Sequence, residues 1–138
     1  MKKLWNLSFT YFILGIASGV FYREYTKHMG FEGRTALAYT HLHLLVLGMM
    51  LFLILMLFCR QTDLADSRKF KVFLVLYNIG LPFMVIMLYV RGIAQVSAAS
   101  LGPAANAAIS GLAGIAHIII TVSYTHLTLP TNSRVEIS

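Results

Sequence analysis

Three histidines lie inside apolar runs of this chain, and their spacing is the chemistry the sequence offers. His41 and His43 sit in Tyr39-Thr40-His41-Leu42-His43-Leu44-Leu45-Val46-Leu47-Gly48-Met49-Met50, and His117 stands before Ile118-Ile119-Ile120. An imidazole inside hydrocarbon is costly. It is kept there by ligating a metal or cofactor, by handling protons or substrate, or by hydrogen bonds across helices. All three readings stay open on the residues alone. His41 and His43 are two positions apart, about 200° around a helix, so only one can face the bundle axis. The other faces a neighbouring helix, the interface or lipid.

Small residues accompany the histidines and leave space for a flat ring. Gly48 follows His41 by seven on its own face, whereas His43 shares a face with Leu47, Met50 and Ile54; Ser110, Ala113 and Gly114 precede His117 at helical spacing. One histidine on each of two helices suggests a b-type haem, with His41 and His117 as axial ligands to the metal and His43 as the other candidate on the second helix. Arg91 and Arg23 would neutralise the propionates. Counted from helix starts at Ala36 and Ala104, His41 lies about 8 Å deep and His117 about 20 Å deep. That mismatch argues against the pairing. The competing class is a small transporter or channel-like bundle in which His43, Asn78 and Arg91 line a polar path, or a structural subunit of a membrane complex with no cofactor. No catalytic activity by the chain alone is expected.

The elements that must carry these residues are membrane spans. The chain has 138 residues, 58% hydrophobic and 12% charged, with a mean hydropathy of +0.74. A soluble domain uses about 25% charged residues. A span takes about 20 mainly apolar residues, so the length holds four and no soluble domain. The fold class expected is all-α, a four-transmembrane-helix bundle of antiparallel up-down topology, over about 4–22, 36–59, 70–92 and 104–120 and beyond. Its partners are the lipid bilayer and a homo-oligomer or larger membrane complex. Nucleic acid is not expected, because the net charge of +6 has no soluble basic face to occupy. Cys59 is the single cysteine, which excludes an intramolecular disulfide and cysteine-built metal sites.

Gly15 and Gly19 form a G-x-x-x-G pair that lets a neighbouring helix approach closely. His28 reads as a solvated loop residue, and Pro82 predicts a kink in the third span. Six basic residues (Lys2, Lys3, Arg60, Arg68, Lys69, Lys71) flank one side of the membrane and four (Arg23, Lys27, Arg34, Arg91) the other. The positive-inside rule then places both termini and the 60–71 connection in the cytoplasm. From Thr121 the composition changes. Val122-Ser123-Tyr124-Thr125-His126-Leu127-Thr128-Leu129-Pro130-Thr131 matches the in-frame translation of a transposase sequencing adapter. Residues 121–138 are therefore expected to be non-native and are set aside, as fusion scars are.

A resemblance runs through most of residues 1–120. It is carried by Leu7-Ser8-Phe9-Thr10-Tyr11 through Phe21-Tyr22-Arg23-Glu24, Thr40-His41-Leu42-His43 through Gly48-Met49, Tyr77-Asn78-Ile79-Gly80, Val90-Arg91-Gly92, and Ala108 through His117. In these the chain resembles a family of small bacterial four-helix membrane proteins of unknown function, which implies an architecture and no activity. The first two spans are also similar to those of the haem–copper oxidase catalytic subunit, where a glycine commonly follows the low-spin haem histidine by seven. That similarity implies His41 rather than His43 as ligand. It carries no histidine cluster for copper, so oxygen reduction is not implied.

Overall fold

The computed structural model describes residues 2–98 and 101–132. Helix α1 is Lys2–His28, α2 is Leu37–Gln61, α3 is Arg68–Val96 and α4 is Pro103–Asn132. All four are long and apolar enough to cross a membrane, and no strand occurs among the described residues. Large apolar side chains such as Phe9, Ile13, Ile16, Val46, Val75, Ile86 and Ile118 face outward, as hydrocarbon as the surrounding medium requires.

Successive helices pack antiparallel. A Cβ on Gly15 would meet Leu45 at 2.7 Å, and one on Gly19 would lie 3.7 Å from His41. The paired glycines thus form the α1–α2 seam. Helix α1 ends where Gly30 takes φ +60, with Phe31 N–H bonded to the Thr26 carbonyl at 2.9 Å and Gly30 N–H to that of Lys27 at 3.2 Å. This reciprocal pair caps the last carbonyls. The start of α2 is held by α3: Thr35 Oγ1 donates to the Gly92 carbonyl at 3.1 Å, and Ala36 N–H donates to Gln95 Oε1 at 2.8 Å. Ser67 Oγ caps α3 by accepting from Phe70 N–H. Helix α3 runs on through Pro82. Helix α4 packs against α3, with Ile119 and Ile120 seated on Gly80.

The aromatic core occupies the half of the bundle away from the histidines. Tyr11 stacks on Phe52 at 5.6 Å, and Tyr77 meets Phe52 edge-on at 5.8 Å and Phe73 at 5.2 Å. Here α2 widens into a π-helical stretch over Leu44–Met50. Widening disturbs the usual carbonyl pairing of a helix, and hydroxyls from both neighbours attend to it. Tyr77 donates to the Leu47 carbonyl at 2.8 Å and Ser8 to that of Met49 at 2.9 Å. Tyr77→Phe is expected to cost about 1–2 kcal/mol, the upper range for such bonds in membranes. Thermal unfolding in detergent measures it, and an unchanged midpoint would show that the π turn needs no cap.

Candidate functional site

The three intramembrane histidines behave differently, and none makes a hydrogen bond to another helix among the described residues. His41 turns toward α1, its ring near-parallel to Tyr22 at 6.4 Å and above Gly19. Its Nδ1 is buried with no partner. His43 places Nδ1 2.7 Å from the Tyr39 carbonyl, and His117 places Nδ1 2.7 Å from the Ala113 carbonyl, each one turn back on its own helix. A carbonyl oxygen only accepts, so Nδ1 carries the proton in both rings and Nε2 keeps its lone pair in the neutral form. Metal-ligating histidines are oriented in this way.

The depths also differ from those counted along the sequence. Leu37 touches Gly92 on α3, and the adjacent Arg91 donates to Ser110 Oγ at 2.9 Å. Leu37 and Ser110 are therefore nearly level. His41 and His43 lie about 6 and 9 Å below Leu37, and His117 about 10 Å below Ser110, at the helical rise per residue. The first two turns of α4 overhang the start of α2, which narrows the mismatch between His41 and His117 without closing it. The close contact of Ile120 with Gly80, twelve residues before Gly92 on α3, gives a second register, in which His43 and His117 fall within about one helical turn of each other.

Comparable depth does not bring His41 and His117 together. His41 is covered by α1, whereas His117 is exposed on α4, the least covered helix: 11% of its most apolar stretch is buried, against 39% in α3. Gly48 offers no cofactor space on this structure. A Cβ there would meet Tyr11 at 2.5 Å, so the flat ring beside this glycine is the tyrosine's own. Around His117 the reverse holds, since Gly114 has nothing within 4 Å of a Cβ position. Ser110, Gly114 and His117 share one flank of α4, with Arg91 anchored at its head. Arg23 is exposed near the end of α1 and, among the described residues, makes no hydrogen bond to either histidine.

Asn78 is engaged inside the core, accepting from Tyr11 Oη at 3.1 Å and donating to the Leu74 carbonyl. A cavity of about 130 Å³ lined by Arg91, Ala94, Gln95, Leu101 and Asn106 opens near the head of α4. It is far smaller than the roughly 300–1,000 Å³ of a drug-sized ligand site. No group of three or more His, Cys, Asp or Glu gathers for a metal ion among the described residues. Sequence reasoning missed the carbonyl locks on His43 and His117. Their signal is only a histidine with its own helical turn before it, which is too common to read.

A family model described as "Protein of unknown function (DUF2871)" matches residues 1–134, running on through the stretch that reads as adapter. No curated protein and no solved structure matches the chain, the haem–copper oxidase subunit included.

Proposed function

We propose, from the premise that the chain belongs to this family of unknown function, that it is a multi-pass membrane protein holding a b-type haem on the flank of α4. The observation that carries the reading is the locked His117 ring, whose Nε2 lone pair is free beside Gly114, where an added Cβ would meet nothing within 4 Å. Arg91 stands about two helical turns, or 10 Å, from His117 on the same flank, near enough to pair with a propionate. A haem supplies one-electron redox chemistry when bound, so the role is electron transfer, haem sensing or support of an oxidase. The charge bias favours an N-terminus inside, and the resemblance to small bacterial membrane proteins favours the bacterial cytoplasmic membrane. Residues 121–138 take no part in this reading.

His117, Arg91 and Gly114 would bind and orient the group. The Ala113 carbonyl holds the imidazole proton on Nδ1, which keeps Nε2 directed outward. Protein purified from haem-replete cells is expected to show a b-type band in its reduced-minus-oxidised spectrum. Colourless protein from such cells would remove the proposal.

A further inference from the structure

We propose that the second axial ligand is His43 of a second copy of the chain, so that two copies complete each haem site between them. The inference rests on the haem reading above and concerns which of this chain's residues face the group.

Two candidates exist for the second ligand, and the structure separates them. His41 is turned into the α1–α2 seam against Gly19 and Tyr22. Freeing it requires opening that seam. His43 is only partly covered, and its Nδ1 is already committed to the Tyr39 carbonyl, which leaves the same liganding nitrogen available as in His117. His43 and His117 lie within about one helical turn of the same depth, so rings from two copies would be able to reach one group between them. Within one chain α4 packs against α3 and His117 faces away from the bundle. Its iron-binding side therefore points out of the monomer.

An exposed imidazole in hydrocarbon is also unstable as it stands. A two-fold pair of chains resolves both problems at once: His117 of each copy meets His43 of the other, and the symmetry closes with two equivalent sites. The open α4 flank with Gly114 beside His117 admits close approach.

The test is complementation between differently tagged chains. His43→Ala and His117→Ala homo-oligomers are each expected to lose the bis-histidine low-spin spectrum. The co-expressed, doubly purified mixed pair keeps one intact site of two, and half the wild-type low-spin haem is expected to return. Native mass spectrometry of wild type reads the pair of chains directly, with haem lost when it separates. If wild type is colourless, the haem reading itself fails. If wild type carries haem but His43→Ala retains the low-spin spectrum, or the mixed pair recovers none, the shared site is wrong and the haem reading stands. Circular dichroism and chain-pair mass of each variant establish that its loss is not one of folding, and His43→Gln with His117→Gln repeats the cycle if either alanine variant fails to fold.

Discussion

His117→Ala is expected to leave the purified protein with at least about tenfold less haem than wild type, while His41→Ala keeps its colour. Even partners of a metal ligand cost about 10–100-fold in affinity when removed, and loss of the ligand itself should not be smaller. The difference between the two variants follows from where their rings lie. His117 is exposed on α4 with one nitrogen pinned to Ala113 and the other free. His41 is folded into the seam between α1 and α2, its Nδ1 buried without a partner. Removing His41 deletes an unpaired polar atom and leaves no partner stranded, so its stability cost should be small for a buried residue. Haem content per chain and the low-spin spectrum measure both variants. A colourless His41→Ala with His117→Ala still coloured would reverse the assignment and return the ligand to the position that the oxidase resemblance implied.

Some of this was legible in the residues and some was not, for identifiable reasons. Hydropathy located all four spans, although α1 continues six residues past the expected end at 22, so that His28 closes the helix rather than lying in a loop, and Gly15 with Gly19 announced a close helix neighbour that α2 supplies. The depth of His117 was misjudged because Ala104 was taken as level with Ala36. A run of alanines carries no mark of where the membrane begins. Only the Arg91–Ser110 contact shows that α4 projects past the start of α2. The role of Gly48 was misread for a related reason, since a glycine signals that something comes near without saying what. Tyr11, far away in sequence, fills that place. The π-helical stretch had no signature either. Its carbonyls are served by Ser8 and Tyr77 from two other helices, and tertiary contacts of that kind leave no periodic pattern.

Glycine identity therefore separates structure from site, and it does so measurably. Gly92→Ala is expected to destabilise the bundle by about 1–3 kcal/mol or more, the cost of overpacking a close contact. The added Cβ would stand 2.5 Å from the backbone nitrogen of Leu37, and backbone cannot swing aside as a side-chain tip can. Nor can α2 retreat cheaply, because Thr35 is bonded to the Gly92 carbonyl itself and Ala36 to Gln95 one turn on. Gly114→Ala meets open space instead. It should raise helix stability by about 0.5–1 kcal/mol through backbone entropy, yet lower haem content, because the new methyl intrudes on the surface where the macrocycle would lie. Unfolding in detergent and the haem spectrum, taken on the same two preparations, should thus move in opposite senses for Gly114→Ala. If Gly114→Ala binds haem as wild type does, the ring does not rest on that flank of α4, and His117 must be sought as a ligand from another direction or not at all.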